Sequence, residues 1–435
     1  MKQAITILCF LFFANTTKAQ TWYELATTND SLQANNTINS ICNDSAGNIY
    51  AAGDFTNSSG LRYVAKWDNS TNLWNELEDS NSLSANGTIQ VVCYFNGNIY
   101  AAGSFTNSSG KYYVAKWNGA KWNELGGSNN LSANGKINSM FADSNGNIYV
   151  AGQFTNSNGK HYVAKWNGTT WNELSGFNAL DANDQILSIC SDAAGNIYAA
   201  GDFWNVSAKN YVAKWNGSTW GELGGLNGLS ANSRINTICC DLAGNIYAGG
   251  LFTNTSVNYY VAKWNGSAWN DFFDVINVDP IVAIRTDKAG NVYLFDHNNL
   301  NLFSIGNGFS YGHMNAIIGD FFIDANNNIY ASCFNFPTHK NYVARYGFPL
   351  GIEEELKTEL PIFPNPTNTA TTITLTKPID NATIKLINLT GQIIIEKQNQ
   401  TGDHFNLEIS QQAQGIYFVE IRQADNVWRT KLVKQ

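Results

Sequence analysis

The chain has 435 residues and a formal net charge of −8, and only 14% of its residues are Asp, Glu, Lys or Arg. An acidic chain without basic clusters argues against nucleic acid or an anionic membrane surface as its partner. Its polar surface comes from Asn, Ser, Thr and Gly, which suits an extracellular protein that contacts sugars or peptides.

Residues 1–19 read as a signal peptide. Lys2 gives the positive start, Ala4 to Ala14 is an apolar run too short to span a bilayer, and Thr17-Lys18-Ala19 offers small residues for cleavage. No other stretch is long and apolar enough for a membrane span.

A repeat then dominates residues 20–348. Gly-Asn-Ile-Tyr or a variant stands at residues 47–50, 97–100, 146–149, 195–198, 244–247, 290–293 and 327–330. A fixed period near 50 means one supersecondary unit stacked many times. The third unit predicts four strands: Ile137 to Phe141, Asn147 to Phe154, Tyr162 to Trp166 and Trp171 to Leu174. Asn167-Gly168 supplies a hairpin turn, because both residues tolerate positive φ. The second strand is apolar on both faces, so both faces must be covered. It is built of small residues, whereas eleven of the thirteen Trp fall in the third and fourth strands. That gradient fits wedge-shaped blades around an axis.

The count closes a ring. The seventh unit has a third strand at Tyr342-Val343-Ala344-Arg345-Tyr346 but no Trp-x-Glu-Leu after it; that strand stands at the other end, as Trp22-Tyr23-Glu24-Leu25. The expected fold is all-β: a seven-bladed β-propeller closed by an N-terminal strand, which protects its edges. The unit resembles the kelch-like propeller family through Asn-Ile-Tyr-Val-Ala-Gly-Gln-Phe, Tyr-Val-Ala-Lys-Trp and Trp-Asn-Glu-Leu within residues 147–174. Gly249-Gly250 restores the family's double glycine once. That family spans binding scaffolds and enzymes, so the resemblance implies fold rather than activity.

The loops between units repeat Leu-x-Ala-Asn, and place Asn35, Asn86, Asn134, Asn183 and Asn232 around one mouth of the channel, as candidate ligand-binding residues or as turn residues. The Asp before each turn (Asp44, Asp143, Asp192, Asp241, Asp287, Asp324) reads as a turn cap, since calcium needs clustered oxygen ligands. Lys in the third strand and Glu in the fourth predict a ladder of cross-strand ion pairs. Units six and seven depart from the pattern, which makes His297 and His313 further candidates for ligand binding. No motif assigns a catalytic residue, a metal or a cofactor. Six cysteines follow Cys9. Cys42, Cys93, Cys190 and Cys239 share one column with Phe141 and Phe322, which reads as free thiols in packing positions.

After an acidic linker at 349–360 the composition shifts. Residues 361–435 alternate as a small antiparallel, Ig-like β-sandwich of about seven strands. The tail resembles the type A C-terminal sorting domain of the type IX secretion system. The shared residues are Phe363-Pro364-Asn365-Pro366, the Asn388-Leu389-Thr390-Gly391-Gln392 turn, Gly415-Ile416-Tyr417 and Lys431 to Lys434. The resemblance implies export through the periplasm, the type IX machinery as partner, and an extracellular or outer-surface destination. The function expected is therefore a secreted or surface-displayed propeller that binds polysaccharide or protein. The alternative is a secreted glycan-active hydrolase or lyase with its site at the channel mouth.

Overall fold

The computed structural model describes residues 21–26, 31–77, 83–127, 130–175, 179–275, 280–296, 303–305, 309–310, 316–335, 338–347, 362–388, 393–423 and 426–435. Residues 1–19, expected as a signal peptide, residues 349–360, expected as a linker, and His297, His313 and Gly391 lie outside them. The described residues fall into two compact units, one within 20–347 and one within 348–435. All of their regular structure is β-strand, and no helix is long and apolar enough to cross a membrane.

The first unit holds seven four-stranded antiparallel sheets among the described residues. Sheet 3 runs Ile137–Ala142, Ile148–Gly152, Ala164–Trp166, Trp171–Glu173 in spatial order. Sheet 7 takes Ala316–Ile323, Ile329–Asn335 and Lys340–Gly347, and its fourth strand is Thr21–Glu24. Trp22 lies opposite Tyr346 and Glu24 opposite Ala344, which puts the two ends of the unit in one sheet. First strands of successive sheets touch, and that of sheet 7 touches Ile38–Asn43 of sheet 1.

Each first strand is an edge strand, so part of its backbone has no ladder partner within its own sheet. Side chains from the preceding sheet complete it. The Ile189 N–H donates to Ser139 Oγ at 3.2 Å, Ile238 to Ser188 at 3.1 Å, Ile284 to Thr237 at 3.3 Å and Val92 to Ser40 at 3.2 Å. Sheet 7 uses a carboxylate instead: the Ile41 N–H donates to Asp320 Oδ2 at 3.1 Å. One position earlier, the Asn39, Asn138 and Asn236 amides donate forward to the Ile89, Ile186 and Ile281 carbonyls. A β-bulge makes this reach possible, since Ile137 faces Gly152 but Ser139 faces Ala151, leaving Asn138 as the extra residue. It also explains the glycine. A Cβ on Gly152 would lie 2.1 Å from the Lys136 carbonyl oxygen.

Two further contacts stitch the outer strands. Fourth-strand Trp side chains of successive sheets donate the indole N–H to a Leu carbonyl of the previous sheet: Trp122 to Leu77, Trp171 to Leu125, Trp220 to Leu174 and Trp269 to Leu223. Trp74 finds its carbonyl on Leu25, at the end of the N-terminal strand. Third- and fourth-strand Trp rings also pack in pairs, as Trp166 with Trp171 at 5.7 Å between centroids.

The expected Lys–Glu ladder is absent at these positions, for a reason of register. Lys165 lies opposite Asn172, and Glu173 opposite Ala164. The Lys165 ammonium rests over the Tyr149 ring at 5.4 Å, and Lys116, Lys214 and Lys263 repeat the contact. The Glu carboxylates instead accept from an Asn in the loop after the second strand, as Glu173 from Asn156 at 3.1 Å. The described cysteines are free thiols, four of them partly exposed and Cys239 and Cys333 buried.

The second unit is a five-stranded sheet system. Segments expected as separate strands run together as Ala370–Asn388 and Ile393–Glu408, which pair with repeated register shifts. Bulged long strands bend, and one strand then serves both sides of a core. That core includes Ile373, Ile384, Leu386, Leu407, Val419, Ile421 and Leu432.

Replacing Ser188 by Ala removes the acceptor for the Ile238 N–H. The expected loss is about 1–3 kcal/mol, the cost of an unpaired buried polar group. A denaturant titration checks it; an unchanged midpoint contradicts the account.

Candidate functional site

All seven first strands contribute to one central cavity of about 390 Å³. Its lining is polar, with Asn39, Asn138, Ser139, Ser188, Arg285 and Asp320 among it. Most of these groups already hold the sheets together. The charged pair follows from the broken repeat: Arg285 stands in the column that elsewhere holds Cys or Phe. Its Nη2 donates to Asp320 Oδ1 at 2.7 Å, and the guanidinium lies 5.6 Å from the Phe321 ring centroid. Asp320 accepts from Arg285 on one oxygen and from the Ile41 N–H on the other.

At one end of the cavity lie the turns that follow the first strands, flanked by hollows of about 530 and 380 Å³. Here the repeated Asp caps its own turn. Asp143 Oδ1 accepts the Asn145 and Asn147 N–H groups at 2.9 Å each, and Oδ2 accepts from the Asn147 amide at 2.7 Å and the Tyr149 hydroxyl at 3.1 Å. Asp44, Asp192, Asp241 and Asp287 repeat the pattern. Partial burial works against the charged form of Asp143, Asp192 and Asp287, but the hydrogen bonds outweigh it and hold each below the ordinary Asp value. Among the described residues, no group of three or more His, Cys, Asp or Glu is placed to hold a metal ion.

At the other end lie the loops bearing Leu-x-Ala-Asn. Their Ala pairs through the backbone with the previous sheet: Ala85 with Arg62, Ala133 with Tyr112, Ala182 with His161, Ala231 with Asn210, and Ala34 with Asn341 of sheet 7. Their Asn pins the loop after the second strand of its own sheet. Asn134 accepts the Thr155 N–H at 2.8 Å and donates to Thr155 Oγ1 at 3.1 Å. Asn35, Asn86 and Asn232 do the same to Thr56, Thr106 and Thr253. The five Asn thus ring this face, and their amides are engaged within the fold.

Asn183 differs in what it pins. It binds the backbone N–H and carbonyl of Trp204, both at 3.0 Å, where sheets 1, 2, 3 and 5 hold Thr. Trp204 is 44% exposed, and Val206 and Leu226 in the same sheet are 93% and 64% exposed. A hollow of about 260 Å³ opens beside them, lined by Leu180, Val206, Tyr211, Trp220, Glu222 and Leu226 among others. Sequence reading missed this cluster. Its signal was Trp204 itself, a tryptophan outside the repeat's aromatic columns.

In the second unit, the family-like residues divide into fasteners and exposed groups. Asn365 donates to the Lys431 carbonyl at 2.7 Å and accepts the Val433 N–H at 2.9 Å. Buried Lys434 donates to the Asn368 carbonyl at 2.6 Å, and the Tyr417 hydroxyl to the Ala413 carbonyl at 2.8 Å. Gly415 begins the Gly415–Gln423 strand. Pro364, Pro366 and Lys431 differ: Pro364 and Lys431 are exposed, as is the Pro366 ring that precedes buried Thr367.

The depressed carboxylates tie stability to pH. A folded value below the unfolded one, about 3.9, stabilises at higher pH and is lost as pH falls through the folded value. The N-terminal unit should therefore keep its full melting temperature above about pH 5 and lose it progressively below about pH 4. Asp143→Asn should lower stability at pH 7 and flatten the acid limb. A melting series across pH checks both; equal acid limbs in the two proteins contradict the assignment.

Comparison with known proteins bears on both units. Residues 361–435 match the Secretion system C-terminal sorting domain family. Residues 17–189 match the Rax2 C-terminal beta propeller domain. No curated protein sequence is significantly similar to this chain. Among solved structures, virginiamycin B lyase from Staphylococcus aureus is 9% identical, over 76% of this chain and 100% of its own, with a TM-score of 0.52. A catalytically inactive variant of that lyase, solved with quinupristin, is 11% identical over the same shares, with a TM-score of 0.53. At such identities the likeness is one of fold. The chain thus carries a β-propeller and a C-terminal sorting domain of the type IX kind, which implies secretion to the cell surface or the extracellular space.

Proposed function

We propose that the N-terminal unit is a seven-bladed, kelch-like propeller, closed by its N-terminal strand, that binds a polysaccharide on the face carrying the Leu-x-Ala-Asn loops. Trp204 carries this reading, because it is a half-exposed ring at a position that is Thr in other sheets. An exposed Trp offers a flat apolar face with a polar tip, and is enriched where proteins bind. Beside it the hollow offers apolar and aromatic walls, Val206, Leu226, Tyr211 and Trp220, with the Glu222 carboxylate among them, a mix that can stack a sugar ring and accept from its hydroxyls. Asn35, Asn86, Asn134, Asn183 and Asn232 serve the face by holding its loops. Residues 1–19 act as the signal for entry to the periplasm, 349–360 as a linker, and 361–435 as an Ig-like sorting tail.

Binding of the mature chain to an array of polysaccharides tests the first part. Trp204→Ala should weaken the strongest interaction by about tenfold or more, the scale of an aromatic anchor, with an unchanged melting temperature. Equal binding by the variant overturns the assignment. The rival reading, a glycan hydrolase or lyase at the channel mouth, predicts product release from the same polysaccharides.

The tail has a separate test. A chain ending at residue 348 should stay inside a host with the type IX system, and residues 349–435 should carry an exported reporter to the surface or medium. Normal surface delivery of the truncated chain contradicts the sorting role.

A further inference from the structure

The Cys190 and Cys240 sulfurs lie 2.9 Å apart, across the boundary between sheet 4, whose first strand is Ile186–Ser191, and sheet 5, whose first strand is Ile235–Cys240. Strand alternation explains how they meet. Successive side chains point to opposite faces, so adjacent Cys239 and Cys240 face opposite neighbours. Cys239 packs forward among Ile281, Ile284 and Val292 of sheet 6. Cys240 packs backward, with Cys190, in the cluster that joins sheets 4 and 5. The rule generalises: the forward-facing residue of one first strand meets the backward-facing residue of the next, one position later. Across the other boundaries this couples Cys42 with Tyr94, Cys93 with Ala142, Phe141 with Ser191, Cys239 with Thr286, Arg285 with Ile323 and Phe322 with Asn43. Only Cys190 and Cys240 place sulfur on both sides.

We propose that Cys190 and Cys240 are a disulfide site that joins sheets 4 and 5 once the chain has left the cytoplasm. Three observations carry it: the sulfur contact, the single coincidence of two thiols in the offset register, and access. Cys190 lines the central cavity and Cys240 lines the hollow at its turn end, so a small oxidant reaches the pair. The sorting domain implies passage through compartments where disulfides form and persist.

The co-reactant is a disulfide donor, either a protein dithiol oxidant or a small-molecule disulfide. One protein thiolate attacks the donor's S–S bond, forms a mixed disulfide and releases one donor thiol. The second protein thiolate then attacks the protein sulfur of that mixed disulfide and releases the second donor thiol. Two S–H protons and two electrons leave the protein, and the donor disulfide is reduced to two thiols. Burial and the neighbouring Cys240 thiol push the Cys190 thiol up, so the reaction should quicken as pH rises.

The test uses the mature chain with its six cysteines, which makes it independent of the export reading. The reduced protein is incubated with glutathione disulfide, denatured, and alkylated without reductant. Intact mass should show four labels instead of six, and proteolysis should yield one linked peptide pair. Fragmentation of that pair should place the bond at Cys190 and Cys240. The linkage should survive Cys239→Ser and vanish in Cys240→Ser, and reductant should lower the melting temperature of the wild type but not of Cys240→Ser. Six labels after oxidation, or a linkage that persists in Cys240→Ser, overturns the proposal. Should a variant fold poorly, fragmentation of the wild-type linked peptides still decides the assignment.

Discussion

The unpaired inner edge of each first strand is the constraint that organises the N-terminal unit. An edge strand inside a protein leaves donors and acceptors that cost free energy unless something answers them. Here the preceding sheet answers, with a hydroxyl for the N–H, as Ser139 does for Ile189, and with an amide for the carbonyl, as Asn138 does for Ile186. Both side chains reach forward because a bulge inserts one extra residue, and the bulge brings the backbone so close that Gly152 has no room for a Cβ. Thus three residues of sheet 3, Asn138, Ser139 and Gly152, are set by one need, and sheets 1 and 5 repeat the set with Asn39, Ser40 and Gly53 and with Asn236, Thr237 and Gly250. The same need explains sheet 7: where the hydroxyl gives way to Asp320, Arg285 supplies the balancing charge, so the break in the repeat closes the seam with sheet 1.

Much of this fold was legible because repetition amplifies weak local signals. The period, the Asn-Gly turns and the displaced Trp22-Tyr23-Glu24-Leu25 strand led to the sheet composition that the structure has. What escaped was every relation between sheets. The Leu-x-Ala-Asn loop looks like a ring of ligand-binding amides when read within one repeat. Its Ala is a backbone clasp to the previous sheet, and its Asn a pin to the next loop. Lys165 and Glu173 look like cross-strand partners until the register pairs them with Asn172 and Ala164. Cysteines compared at equivalent positions look too distant to meet, whereas the contact is offset by one residue. Neighbouring sheets meet through opposite faces, and a column alignment of repeats hides that.

This bears on where specificity can reside. A polar group that repeats in most sheets and is hydrogen-bonded inside the fold has little left to offer a ligand. The turn aspartates, the loop asparagines and the hydroxyls of the first strands all belong to that class. On the proposed binding role, recognition falls to residues that break the repeat without serving the seams. Trp204, Val206 and Leu226 satisfy both conditions, for their side chains face solvent while the backbone beneath Trp204 is held by Asn183. A rigid loop that presents an exposed ring loses little order on binding, which favours affinity.

The C-terminal unit divides its family-like motifs in a parallel way. Asn365 and Lys434 join the opening segment to the last strand, so the two ends of the domain stand or fall together. What they do in the fold is hold its shape. Phe363 and Lys431 instead leave their side chains in solvent, with Phe363 81% exposed. An apolar ring that size is a cost on a lone soluble domain and an asset on one that must be grasped. The motif residues of the tail therefore fall into two kinds, and on the proposed sorting role the exposed ones are those a partner can reach, on a frame set by the buried ones.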